Sequence, residues 1–194
     1  EGFVRNQEAQ WYQRANVVSR DGHLVIEARR ERVENPNHDP KAGTDRNDWK
    51  KARTHAEYTS GSIKTRGKHE WLYGRWEMRG RIDIRDGLWP AWWTVGTARP
   101  WPACGEIDMM EFYRGTLLAN AAWGSAKQWA GVWDASNTPI DRIAKDAGMP
   151  DAATWAKEFH VWRMDWDESA IRLFVDGKLL NEIDLAKTVN QSAD

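Results

Sequence analysis

Asp-Gly stands twice in this chain, at 21–22 and at 176–177, each time between two runs rich in β-branched and aromatic residues. Both central positions of a type I′ turn need left-handed backbone, which Asp-Gly tolerates. Each pair therefore predicts an antiparallel hairpin, Asn16–Arg20 with His23–Arg30 and Ile171–Val175 with Lys178–Ile183. Tyr73–Asp83 alternates with period two, setting Arg75, Glu77, Arg79 and Arg81 on one side and Trp76, Met78 and Ile82 on the other. That is the pattern of a half-buried antiparallel strand. Tyr58–Thr65, Thr116–Trp123, Lys127–Trp133 and Phe159–Trp166 also read as strands or strand fragments. In Gly87–Gly96, Pro90 cannot donate to a ladder, so a strand should start or kink there and leave Trp89 exposed. Turn formers recur about every ten residues, with no internal repeat and no βαβ alternation, so the fold class is all-β, an antiparallel sandwich. Glu34–Trp49 reads as a polar loop. Pro139–Lys157 is the one helical stretch, a surface excursion with Asp151 placed to cap it.

A length of 194 residues suits one sizeable core, and a single domain over 1–194 is expected. Against 28 basic residues stand 29 acidic ones, a net charge of −1 that favours neither nucleic acid nor a polyanionic partner. No apolar run reaches the roughly 18 residues of a membrane span, and residues 1–15 carry no targeting pattern. Cys104 is the single cysteine, which excludes an internal disulfide; with no histidine near it in sequence it reads as a small buried hydrophobe. The five histidines show no metal-ligand spacing. Gly61 to Gly67-Lys68 has one residue too many for a phosphate loop and lacks the following Ser or Thr. Tryptophan is the anomaly, with 14 against 4 Phe and 4 Tyr. A core built only for packing favours Leu, Ile, Val and Phe. Flat rings with one polar edge suit the C–H faces of sugars, although about half of these indoles are expected to fill the core.

Trp101–Phe112 holds three carboxylates, Glu106, Asp108 and Glu111, in an otherwise apolar run. On a regular strand Glu106 and Asp108 share a face and Glu111 points the other way. A β-bulge at Met109-Met110 would bring Glu111 back beside them. Crowded acids raise one another's pKa and add nothing to a strand's stability. A retaining glycosidase needs two carboxyl groups about 5 Å apart, one ionised and one protonated. The competing reading is a solvated face whose acids pair with Arg and Lys.

Gly105-Glu-Ile-Asp-Met-Met-Glu111 resembles the signature of glycoside hydrolase family 16 in its longer form, typical of laminarinases, the endo-β-1,3-glucanases of that family. Tyr58-Thr-Ser-Gly-Ser-Ile-Lys-Thr65, Tyr73-Gly-Arg-Trp-Glu77, Gly87-Leu-Trp-Pro-Ala-Trp-Trp93 and the closing strand that ends in Asp176-Gly177 are similar to family motifs as well. The resemblance spans about residues 7–186. It implies a β-jelly roll, concanavalin-like, with a concave substrate groove. It also implies Glu106 as nucleophile, Asp108 as its assisting neighbour and Glu111 as general acid/base. Trp89, Trp93 and Trp101 are then the sugar platforms, with Asn16 and Trp123 as weaker contacts; of the adjacent Trp92 and Trp93, only one can face the groove. Two departures stand out. Asn120-Ala-Ala122-Trp123 replaces the usual Thr-Val-His, so Ala122 falls where the family has a histidine near the acid/base. Family domains also carry further strands at both ends, so the single domain is expected to be incomplete there.

The resemblance implies a retaining endo-glycoside hydrolase of β-1,3- or mixed-linkage β-glucan, acting as a monomer on polysaccharide, without nucleic acid or membrane insertion. No cofactor is required for catalysis, and a structural calcium ion is compatible with the family. A polymeric substrate implies a secreted or periplasmic protein. Two alternatives remain open on this fold. One is a hydrolase of algal galactan (agar or porphyran), for which Arg66, Lys68, Arg75, Arg79 and Arg81 would supply a basic groove. The other is a non-catalytic carbohydrate-binding sandwich.

Overall fold

Both Asp-Gly pairs turn as their chemistry demands: φ is 52° at Asp21 and 75° at Gly22, and 49° at Asp176 and 79° at Gly177. The computed structural model describes residues 1–45 and 48–191, in two units, Glu1–Glu70 and Trp71–Asp194. Arg46 and Asn47, in the loop expected over 34–49, lie outside the described residues, as do Ser192, Ala193 and Asp194.

The first unit contains β1 (Gln10–Tyr12), β2 (Val17–Arg20), β3 (His23–Ile26), β4 (Arg29–Glu34), α1 (Trp49–Ala52) and β5 (His55–Ser60). β2 and β3 form the expected hairpin, but their run breaks at Glu27-Ala28. β4 then enters a different sheet of order β1-β5-β4, where β1 pairs with β5 in parallel. The strand expected over 58–65 instead spans His55–Ser60. Phe3, Trp11, Trp49 and Ala56 make this unit's core. The Arg53 guanidinium lies 4.9 Å from the Phe3 ring and 4.7 Å from Trp49. Trp49, expected at the end of a loop, instead opens a short helix and buries its indole in that core.

The second unit is a sandwich of two four-stranded sheets. Its elements are β6 (Gly74–Gly80), β7 (Ala91–Val95), β8 (Glu106–Tyr113), β9 (Thr116–Gly124), β10 (Gly131–Pro139), α2 (Ile140–Asp146), α3 (Ala152–Trp155), β11 (His160–Trp166), β12 (Ala170–Val175) and β13 (Lys178–Asp184). One sheet runs β10-β9-β8-β7 and the other β13-β12-β11-β6, both antiparallel throughout. Between them Met109, Met164, Leu173 and Trp162 are fully buried. Burial of such aliphatic and thioether side chains stabilises by about 1.5–3 kcal/mol apiece.

The helical stretch is more than a surface excursion. Ile140, Ile143, Ala144, Ala152 and Trp155 are all buried in the core cluster that holds Met110 and Phe112. Asp151 caps α3, its carboxylate accepting from Thr154 N at 2.6 Å. His160 stacks on Trp155 with ring centroids 3.6 Å apart, and its Nδ1 meets Asp176 of the second hairpin turn at 2.6 Å. Along one side, Ser136 Oγ donates to Leu180 O at 2.7 Å, and Asn181 Nδ2 donates to Ala119 O at 2.9 Å and to Asp134 Oδ1 at 3.0 Å, tying β10 and β9 to β13.

Candidate active site

β8 contains the extra residue. Glu106 pairs with Ala122 and Asp108 with Asn120, yet Glu111 pairs with Leu118, so three steps on β8 match two on β9. The β7 side agrees, with Trp93 opposite Asp108 and Trp92 opposite Met110, leaving Met109 unmatched. The parity of the strand therefore switches between Met109 and Met110. Ile107 and Met109 are in the core before the switch, and Met110 and Phe112 after it. Glu106, Asp108 and Glu111 thereby share the opposite, outward face.

Each acid sits in its own setting. Glu106 Oε2 accepts from Trp101 Nε1 at 2.5 Å. Trp89 Nε1 donates to Glu111 Oε1, and the Trp89 ring packs on Tyr113 with centroids 4.8 Å apart. Burial raises Glu111 above the usual carboxylate range, and the charge of Glu106 adds to this, while the Trp89 N–H works against it. Asp108, only 4% exposed, is pushed up to about 8, first by burial, then by the charges of Glu106 and Glu111 and by a hydrogen bond with Glu106. At neutral pH Asp108 is thus a neutral acid able to donate its proton to the Glu106 carboxylate.

The other expected contacts divide. Trp93, opposite Asp108, faces outward and is 48% exposed, while Trp92 packs into the core. Trp89 is 41% exposed just ahead of the strand that begins after Pro90. Trp123 does not join them: as neighbour to Ala122 it alternates to the face opposite the acids, with its indole N–H buried. Asn16 lies fully buried in the first unit, its Nδ2 donating to Glu27 O and Thr59 Oγ1, each at 2.8 Å. Ala122, at the position of the missing histidine, is paired with Glu106 rather than with Glu111. Arg75 and Arg79 point away from the core on β6, in the other sheet, so they do not furnish a basic groove around the acids. Arg75 pairs with Asp165 at 2.7 Å and Arg79 covers the Phe159 ring. Cys104 is half-buried, its Sγ donating to Gly105 O at 3.3 Å.

Two outward residues escaped the sequence reading. Asn120, opposite Asp108, is buried with its Oδ1 accepting from Ser136 N at 3.1 Å, and alternation from Ala122 would have located it. Trp133 pairs with Ala122 and is 46% exposed. Its face depends on the β9–β10 register, which an irregular turn conceals. Among the described residues, no group of three or more His, Cys, Asp or Glu is arranged to hold a metal ion.

A sheet that turns three carboxylates and several exposed indoles to one face belongs to a carbohydrate-active β-sandwich. The model of the glycosyl hydrolases family 16 matches residues 5–192, and the chain belongs to that family. It is 32% identical over 184 residues to the glucan endo-1,3-beta-glucosidase A1 of Niallia circulans, covering 92% of this chain and 24% of that protein. The laminarinase catalytic domain from Thermotoga maritima MSB8, solved with cetyltrimethylammonium bromide, superposes with a TM-score of 0.70 at 30% identity, covering 94% of this chain and 64% of that one. A structure from work on endo-acting O-glycanases, expressed by prominent members of the human gut microbiota to initiate mucin breakdown, gives 0.81 at 30% identity, covering 98% and 66%. The chain thus spans from about a quarter to two thirds of the length of these relatives.

Proposed function

We propose that the chain is a retaining endo-acting glycoside hydrolase of β-1,3- or mixed-linkage β-glucan. The observation that carries this reading is the bulge: it puts Glu111, held above the usual carboxylate range by burial, on one face with a Glu106 that two donors address. Double displacement needs that asymmetry. The Glu106 carboxylate attacks the anomeric carbon while Glu111 gives its proton to the leaving glycosidic oxygen, so the glycosidic bond breaks as an ester forms. Glu111, now ionised, takes a proton from the water that attacks the same carbon, and Glu106 departs. Asp108 and the Trp101 N–H fix the oxygens of Glu106 throughout. No metal takes part in either step. Trp89, Trp93 and Trp101 offer ring faces to the sugars. A polymeric substrate puts the protein outside the cytoplasm, secreted or periplasmic.

The higher structural similarity to the O-glycanase supports a second substrate class, mucin-type O-glycans, for the same chemistry. Release of reducing sugar from laminarin, lichenan, agarose and mucin O-glycans by the wild type, with Glu106→Gln as control, decides. Wild-type release from laminarin or lichenan, lost in the folded variant, is the expected result. Cleavage of mucin glycans alone moves the reading to the second class, and normal release by Glu106→Gln removes Glu106 from its role.

A further inference from the structure

We infer that Trp133, with Trp101, forms a sugar-binding subsite on the β10 side of Glu106, over a floor made by Ala122 and Gly131. The inference rests on the proposed hydrolase reading and extends it. Register builds one straight row across the sheet, from Val95 through Glu106 and Ala122 to Trp133. Directly opposed residues of antiparallel strands share a face, so Trp133 stands on the acid face two strands from Glu106, roughly 10 Å away at the usual strand spacing.

Two observations make this a built site rather than a stray exposed indole. Trp101 reaches from Glu106, to which its Nε1 donates, toward Gly131: a methyl group placed on Gly131 would lie 3.7 Å from Trp101 Cζ2. The same methyl would lie 3.3 Å from Trp133 Nε1 and 3.6 Å from Pro102 Cβ. Both indoles thus converge on the bare Cα of Gly131, and any side chain there would crowd the space between them. Ala122, buried beneath and between Glu106 and Trp133, contributes only a methyl. Trp101, Pro102, Ala122, Gly131 and Trp133 thus make an apolar, aromatic surface whose charged neighbour is the acid Glu106. Such a surface fits the C–H face of a neutral pyranose, whose hydroxyls would point to solvent, and is unsuited to a sulfated or carboxylated sugar, which needs a cation. Trp93 on β7 flanks the acids from the other side, so a bound glycan would cross the strands instead of running along them.

The test uses β-1,3-gluco-oligosaccharides from dimer to hexamer. Trp133→Ala is expected to lower kcat/KM about tenfold on the hexamer, with a loss that shrinks as the chain shortens, and Trp133→Phe to recover part of it. Isothermal titration of the hexamer into Glu106→Gln, with and without Trp133→Ala, should give about tenfold weaker binding in the double variant. An equal loss at every chain length, or equal binding by the single and double variants, overturns the subsite. Failure of the wild type to cleave any glucan overturns the β-glucan reading instead, which the titration registers separately.

Discussion

Met109 and Met110 are consecutive in β8, yet both side chains are buried in the core between the two sheets. On a regular strand one of them would have faced outward. The count on the flanking strands says what the extra residue does: Val95 to Ala91 and Ala122 to Leu118 each take four steps, while Glu106 to Glu111 takes five. Deleting Met110 leaves Glu-Ile-Asp-Met-Glu, a plain alternation with the same register on both neighbours and all three acids outward. That variant should fold, lose about 2–4 kcal/mol in urea unfolding from the missing core side chain, and keep measurable hydrolysis. An alanine inserted after Met109 should move Glu111 about 7 Å along the strand and abolish turnover. A folded but inactive deletion variant would show that the bulge backbone, and not the shared face, is what catalysis needs.

Asp108 gives stability a defined pH dependence. Its pKa is raised to about 8 in the fold, above the ordinary carboxylate value it has when unfolded. The folded state therefore binds the extra proton, and the associated stability is full below about 4 and is lost progressively as pH rises to about 8. Asp108→Asn stays neutral throughout. Melting temperatures measured from pH 4 to pH 9 should fall more steeply for the wild type than for this variant, and parallel curves would contradict the assignment.

The Trp89 N–H is the one contact that lowers Glu111 against its burial. Replacing the indole by phenylalanine should therefore raise Glu111 further. Because the acid must be protonated for the first step, the alkaline limb of the kcat/KM profile should shift to higher pH. A shift downward, or none, would mean that Trp89 acts on the substrate alone.

Gly96 donates its backbone N–H to Gly105 O at 3.2 Å, and a methyl group on it would lie only 2.0 Å from Cys104 O. Gly96→Ala should push the 100–105 loop outward, destabilise by about 3 kcal/mol, and separate Trp101 from Glu106. Chemical denaturation together with kcat should show both losses; an unchanged kcat would place Trp101 outside the working site.

The hairpins, the alternating β6 strand and the acid face were legible because each rests on local rules: turn chemistry, period two, and one inserted residue. Long-range packing hid the rest. Arg114-Gly115 makes the same kind of turn, at φ of 48° and 77°, without the Asp that announces it. The strand expected to end at Trp133 runs on to Pro139; Asp134, Ser136 and Asn137 have the composition of a loop but lie in β10. Asp134 and Ser136 are instead the polar partners of β13. The family resemblance offers Trp123 as a weaker sugar contact, and the parity of β9 turns it inward.

The lacing of β10 and β9 to β13 bears on the acids from a distance. Oily surfaces resist separation but allow sideways slippage, since apolar attraction has no direction. Hydrogen bonds from Ser136 and Asn181 do have one, and they lock how far one layer can slide over the other. The alignment of the acid-bearing sheet over its partner is thereby inherited in part from a seam on the buried side of β9 and β10, behind the face that carries the carboxylates.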